Sequence, residues 1–197
     1  MTLFVLPQYG SFWTALRYGS FQVGSIISTT GYATADFNLW PQSARMLAFI
    51  LMFVGSCAGS TAGGLKIVRV AQLCKLGRRE IRRSFQPRSV HVIRFDGHGV
   101  DETMLSQTAV FFFVYVALIL VGALAASLLG SYDLETNFTA ALTCVSNVGP
   151  GLGAVGPAGS FAGYTPAAKV MFTMLMLCGR LELFPILALF APVLWRR

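Results

Sequence analysis

Charge is what this sequence has least of. Only 12% of its 197 residues are Asp, Glu, Lys or Arg, about half of the ~25% usual in a soluble domain. Apolar residues make up 55% of the chain and the mean hydropathy is +0.64. Residues 103–132 carry no charge at all, a run longer than the ~20 residues a helix needs to cross the hydrocarbon core. Core helices of soluble proteins are rarely uncharged for so long, so the composition argues against a soluble domain and for an integral membrane protein. Cysteine is scarce too. Cys57, Cys74, Cys144 and Cys178 form no C-x-x-C pair, which leaves small buried hydrophobes as their reading. The two histidines, His91 and His98, have no metal-ligand spacing and fit a solvated loop. No basic n-region and no A-x-A site mark the N-terminus, so no signal peptide is expected.

The charge that is present is uneven. Acids number eight against fifteen basic residues, for a net charge of +7. Nine of the basic residues (Lys66, Arg69, Lys75, Arg78, Arg79, Arg82, Arg83, Arg88 and Arg94) fall in one stretch with a single acid, Glu80. Beside membrane spans, such clusters mark the cytoplasmic side and can touch anionic headgroups. A nucleic-acid partner would need a soluble basic face and is not expected.

The hydrophobic pattern divides the chain. Met1 to Pro7 is an apolar stub, the tail of a helix or the start of a truncated chain. Ser11 to Ile27 is helix-capable, with Ser11 as N-cap. Thr29 to Asn38 is polar, Pro41 turns the chain, and Ser43 to Val54 is an apolar helix. It breaks at residues 55–64 (GSCAGSTAGG), where four glycines and three hydroxyl residues cannot hold a lipid-facing helix. Leu65 to Cys74 resumes toward the basic stretch, and Ser84 to Gly99 is a polar linker with an Asp96-Gly97 turn. Asp101 and Glu102 suit the N-terminus of a span over 103–129. Asp133 to Cys144 is a second short segment, residues 151–159 are glycine-rich, and Pro166 to Trp195 is a last helix. Trp195 at a membrane edge, followed by Arg196 and Arg197, fits a cytoplasmic C-terminus.

Two glycine-centred loops follow the two short segments. They are Ser28-Thr29-Thr30-Gly31-Tyr32 and Ser146-Asn147-Val148-Gly149-Pro150, 118 residues apart. The context repeats: Ala44-Arg45-Met46-Leu47 corresponds to Ala168-Lys169-Val170-Met171 at an offset of 124. A dehydrated K⁺ needs oxygen ligands in place of its water, and backbone carbonyls aimed at an axis supply them. Aiming successive carbonyls inward requires conformations that favour glycine, here Gly31 and Gly149. Non-helical backbone at membrane depth is tolerated only where protein buries it or water fills it. The alternative is a pair of ordinary extracellular hairpins. A phosphate-binding loop at residues 59–66 fails, because Lys66 does not follow glycine, no Ser or Thr follows it, and no strand is expected before it.

The segments STTGYATADF (28–37), GSCAGSTAGGLK (55–66), SNVGPGLG (146–153) and GRLELFP (179–185) resemble the Trk/Ktr potassium-uptake family, especially its TrkH branch. Thr-Thr-Gly-Tyr is also similar to the Thr-Val-Gly-Tyr of potassium-channel filters, while Asn147-Val148-Gly149 keeps only Val-Gly. The resemblance implies an all-α integral membrane fold of four repeats around one pseudo-fourfold cation pore. Each repeat would be an outer helix, a pore helix with its filter loop, and an inner helix. On that scheme residues 1–74 are the third repeat without most of its outer helix, 75–100 a basic cytoplasmic loop, and 101–197 a complete fourth repeat. Two of four filter segments would be present. Half a ring cannot complete a K⁺ shell, so the chain is expected to be a fragment or to work with another polypeptide.

By resemblance, the carbonyls of Thr29, Thr30, Gly31, Asn147, Val148 and Gly149 line the filter, and Tyr32 and Pro150 complete its outer end. The Thr30 hydroxyl is a candidate for the inner site and Asp36 for cation attraction at the mouth, with a solvated loop acid as its alternative. Gly55, Gly59, Ser60, Thr61, Gly63 and Gly64 fall in an intramembrane loop that gates the pore from beneath, or in a packing kink without motion. Arg180, an intramembrane arginine, would face the pore opposite that loop; its alternative is a structural pair, although Glu182 lies on another helix face. The family further implies K⁺ uptake without enzymatic activity, no bound cofactor, a homodimer, a TrkA-type cytoplasmic nucleotide-binding regulatory subunit, lipid contact, and a multi-pass location in the bacterial inner membrane. A non-conducting truncated scaffold or assembly subunit is the rival. A secondary transporter with broken helices is disfavoured, because both loops enter from one side.

Overall fold

The computed structural model describes residues 1–55, 60, 63–86, 93–95 and 98–180. Among these the chain is mostly helical. Helix α1 (Thr2–Tyr9) ends at Gly10, whose left-handed φ of 66° lets its N–H cap the Leu6 carbonyl. The apolar stub at the start of the chain is therefore helical. Helix α2 (Phe12–Ile27) starts after Ser11, whose side chain makes no capping bond. Helix α3 (Gln42–Phe53) follows Pro41 and stops where the glycine-rich stretch begins. Strands β1 (Val54–Gly55) and β2 (Leu65–Lys66) then pair in parallel, with Val54 opposite Leu65 and Gly55 opposite Lys66. No local sequence pattern anticipates this short pairing.

Helix α4 (Ile67–Phe85) runs further than expected, so the basic stretch begins as helix rather than as loop. The reason is local. Apart from Gly77, residues 75–83 are helix-compatible Lys, Leu, Arg, Glu and Ile, and Pro87 disfavours helix at Gln86 just before it. One face of α4 meets helix α5 (Glu102–Leu129). The Arg69 guanidinium lies 4.0 Å from the Phe111 ring centre, Thr108 donates to Gln72 Oε1 at 2.8 Å, and Arg79 pairs with Glu102. That last bond holds the Arg79 guanidinium above its ordinary pKa. Strands β3 (Arg94–Phe95) and β4 (His98–Gly99) form a small antiparallel pair; the turn signal at Asp96-Gly97 lies outside the described residues.

Helix α5 is the one described helix long and apolar enough to cross a membrane. At ~1.5 Å per residue its 28 residues reach about 42 Å. It is apolar on both sides: Phe111, Tyr115, Ile119 and Ala126 face the interior, while Phe113, Leu124 and Leu128 are exposed. Gly122 lets α6 and α7 approach closely, since a β-carbon there would meet Leu175 and Ala141. Helix α6 (Leu134–Ser146) is buried on nearly every side, polar residues included. Its polar groups are satisfied within the protein. Asn137 donates to the Tyr132 carbonyl at 2.9 Å and accepts from Tyr164 Oη at 2.8 Å, and Tyr115 Oη lies 2.7 Å from Ser146 Oγ. Two short 3₁₀ turns (Gly153–Val155 and Phe161–Gly163) lead to helix α7 (Pro166–Arg180). Small residues, among them Ala44, Ala48, Ala140, Ala141 and Ala168, sit fully buried in the helix-packed core, as is usual where membrane helices pack by close contact.

Candidate functional site: two matched helix–loop units

The two glycine loops are built by the same hydrogen bonds. After α2, Thr29 N–H donates to the Ile26 carbonyl and Thr30 N–H to the Ser25 carbonyl, at 3.1 and 3.0 Å. After α6, Asn147 N–H donates to Cys144 and Val148 N–H to Thr143, at 3.3 and 3.1 Å. Each pair falls at the 118-residue offset. The dihedrals match as well. Thr29 and Asn147 have φ of 54° and 57°, and Gly31 and Gly149 have φ of 77° and 107°. Left-handed backbone thus alternates with ordinary backbone in both loops. For a residue with a β-carbon it costs about 1–2 kcal/mol, so two such non-glycine residues at equivalent positions mark a constrained geometry.

The consequence for the carbonyls is direct. In a trans peptide the C=O points opposite to the N–H, and the described peptides are all trans. Because the N–H groups of Thr30 and Val148 point back into their helices, the carbonyls of Thr29 and Asn147 point away from them. The two loops also abut. A β-carbon on Gly31 would collide with the Val148 carbonyl oxygen, and one on Gly149 would lie 3.9 Å from Gly31 Cα.

Each loop is tied at its far end by a hydroxyl. Ser25 Oγ donates to the Tyr32 carbonyl at 2.6 Å, and Thr143 Oγ1 to the Pro150 carbonyl at 3.2 Å. The Tyr32 and Pro150 carbonyls are thus anchored to the helices, and the Tyr32 side chain is exposed. The Thr30 hydroxyl pairs with Ser28 Oγ at 2.5 Å, whereas Val148, its counterpart, is buried. Asp36 caps a short 3₁₀ turn (Phe37–Leu39), accepting from Asn38 N–H at 2.9 Å. Sequence reasoning missed the hydroxyl anchors, although both stand six residues before their glycine. It also missed Asn38, whose amide clasps the second loop: Nδ2 donates to the Gly153 carbonyl at 2.9 Å, and Oδ1 accepts from Gly153 N–H at 3.1 Å.

The glycine-rich break lies against the second loop. Gly55 and Gly63 are in contact, so that a β-carbon on Gly55 would strike the Gly63 carbonyl. Gly63 sits under the Ser146 carbonyl and Asn147, and Gly64 is left-handed at φ 77°. Ser60 is partly buried; Gly59 and Thr61 lie outside the described residues. From the other side, Asn147 Nδ2 donates to the Met176 carbonyl at 3.2 Å, and Gly179 is pressed against the Val145 carbonyl. Arg180 follows directly, exposed, roughly 21 Å along the α7 axis from Pro166. Glu182 and the C-terminal Trp195, Arg196 and Arg197 fall outside the described residues.

The long apolar helix and the two short helices that feed matched left-handed loops give a mostly helical protein of the kind a membrane family builds. The chain belongs to the TrkH family of cation transport proteins, whose profile matches residues 11–196. It is 38% identical to the Trk system potassium uptake protein TrkI of Halomonas elongata over the whole of this chain, which covers 40% of that protein. It is also 38% identical to TrkH of Salmonella typhimurium, over 95% of this chain and 38% of that one. The crystal structure of the potassium transporter TrkH from Vibrio parahaemolyticus superposes with a TM-score of 0.90 at 35% identity, covering 99% of this chain and 42% of that one. The expected family, and its standing as a transporter family rather than an enzyme family, are borne out. The chain spans about 40% of the length of these relatives.

Proposed function

We propose that the chain supplies two of the filter segments of a bacterial potassium-uptake pore. K⁺ would be coordinated by backbone carbonyls of Thr29, Thr30 and Gly31 from one loop and of Asn147, Val148 and Gly149 from the other. Tyr32 and Pro150 hold the outer ends through their anchored carbonyls. The observation that carries the reading is the matched left-handed backbone at 29/147 and 31/149, which turns the carbonyls of Thr29 and Asn147 away from their helices. The names of the relatives, all potassium uptake proteins, support the choice of ion.

In this reading residues 1–74 and 101–197 are pore units and the basic stretch 75–100 faces the cytoplasm, where inside-negative potential drives cation entry at about 2.3 kcal/mol per charge per 100 mV. The loop containing Gly55, Gly59, Ser60, Thr61, Gly63 and Gly64 acts as a gate beneath the filter, with Arg180 facing the pore. The protein works in the inner membrane as a homodimer with a TrkA-type nucleotide-binding subunit docked on the basic stretch. The experiment is rubidium uptake in potassium-import-deficient cells carrying the full-length protein. Gly31→Ser is expected to lose uptake at wild-type expression; uptake that stays at the wild-type level overturns the filter assignment.

A further inference from the structure

Helix α6 is fastened at both ends. At its start Glu135 pairs with Arg45 of α3, Phe138 packs on Phe49 with ring centres 6.0 Å apart, and Asn137 accepts from Tyr164. At its end stands Ser146, fully buried, with its Oγ 2.7 Å from the hydroxyl of Tyr115 on α5. Among the described residues this is the one hydrogen bond of the Ser146 side chain. The first unit is tied differently. Ser28, the counterpart of Ser146, is exposed; its Oγ donates to the Gly24 carbonyl at 2.7 Å and lies 2.5 Å from Thr30 Oγ1. The second loop has Val148 in place of Thr30 and so has no hydroxyl there to offer. Tyr115 supplies one from outside the loop. Three elements then meet at Ser146. Its carbonyl lies against Gly63 of the glycine-rich break, and a β-carbon on Gly64 would lie 3.5 Å from its Cβ. The next residue, Asn147, is left-handed and reaches the Met176 carbonyl of α7 at 3.2 Å. The Tyr115 ring is itself held, stacked on Phe111 with ring centres 6.3 Å apart, and Phe111 lies under Arg69 of α4.

We propose that Tyr115 is a positioning residue for the second loop, and that its bond to Ser146 sets how well this loop discriminates between cations. Tyr115 touches no ion. Its hydroxyl fixes Ser146, Ser146 fixes the peptide that leads into Asn147, and that peptide decides where the Asn147 carbonyl points. Inside a dry site such a bond is stronger than in water, and an unpaired hydroxyl is costlier. Selection of K⁺ over Na⁺ by backbone carbonyls depends on their number and placement. A loop released from its tie therefore loses discrimination before it loses flux. The inference rests on the reading of the two loops as parts of a cation filter.

The test uses the full-length protein in proteoliposomes and reads the ratio of rubidium to sodium uptake, with thermal melting of the same preparations. Tyr115→Phe keeps the ring and its stack on Phe111 and deletes only the hydroxyl. It is expected to lower the ratio about fivefold, the factor that one ordinary hydrogen bond represents, while rubidium still enters. Ser146→Ala breaks the tie from the other side and is expected to do the same. The double variant leaves neither partner unpaired, so its melting temperature should recover toward wild type while its ratio stays as low as in either single variant. Tyr164→Phe is the control. It deletes an equally buried hydroxyl, 2.8 Å from Asn137 Oδ1 near the start of α6, and is expected to lower melting with the ratio unchanged. An unchanged ratio in Tyr115→Phe or in Ser146→Ala overturns the inference, and either alone decides it should the other fail to fold. So does a ratio that falls as far in Tyr164→Phe, which would mean general loosening. A double variant whose ratio falls by the product of the single effects overturns it too, because the two side chains would then act separately. Rubidium uptake in Gly31→Ser keeps the two readings apart. Loss of uptake there beside an unchanged ratio in Tyr115→Phe overturns this inference alone; wild-type uptake there overturns the filter and this inference with it.

Discussion

The two helix–loop units share a backbone and differ in their surroundings. Helix α6 is enclosed by α3, α5 and α7, and residues 139–146 are all buried. Helix α2 leans on α1 and α3 and leaves Phe12, Trp13 and Phe21 exposed. Yet the loops that follow have the same hydrogen bonds and the same left-handed positions. Enclosure therefore does not shape the loop. Its form comes from the helix end, from a hydroxyl six residues before the glycine, and from the glycine itself. Packing then decides how firmly that form is held.

The largest expected effect separates the two glycines. A β-carbon at Gly31 meets the Val148 carbonyl directly, whereas at Gly149 it meets only ordinary contact. Gly149→Ser should therefore carry mainly backbone strain of about 1–2 kcal/mol and keep measurable rubidium uptake where Gly31→Ser has none. Equal loss at both positions would mean that φ alone governs the proposed filter. Next in size is the glycine-rich break beneath the second loop. Shortening residues 59–64 is expected to raise cation flux severalfold in proteoliposomes; unchanged flux would assign the segment to packing alone.

Smaller effects probe how the units are joined and anchored. Asn38→Ala removes both bonds to the exposed Gly153 and should lower unfolding stability by about 1 kcal/mol, with Asn38→Asp intermediate because it keeps the acceptor. A thermal melt that ranks Asp below Ala would break this account. Smallest is the pair of anchors. Ser25→Ala gives up a 2.6 Å bond and Thr143→Val one of 3.2 Å, each worth about 0.5–1.5 kcal/mol. The first should cost more, although Thr143 is the more deeply enclosed; the reverse order in uptake and melting would show enclosure outweighing bond geometry.

Much of the architecture was legible in local sequence. The uncharged run gave α5 nearly to the residue, and Pro41, Gly55 and Pro166 fixed helix boundaries, because these signals act within a turn of themselves. The glycines of both loops were legible for the same reason and because they repeat. The joints between units were not. Asn38 resembles any loop asparagine and Arg45 any helix-edge cation, until a partner 115 or 90 residues away supplies the meaning. The length of α4 was misjudged because a dense basic run suggests a solvated loop, while its residues are helix-compatible one by one. The parallel pairing of β1 with β2 depends on where the glycine stretch returns, which no local pattern encodes.

The change of offset from 118 before the loops to 124 after them has a practical reading. Within each unit, the stretch from the anchoring hydroxyl to the glycine keeps step to the residue, and the extra length is taken up in the connection that follows. The six additional residues of the second unit thus fall on that side of the loop. Residues 158–160 in this connection are exposed, so a short tag belongs there, where the second unit is six residues longer than the first, and nowhere between Ser25 and Gly31, where the two units match in length.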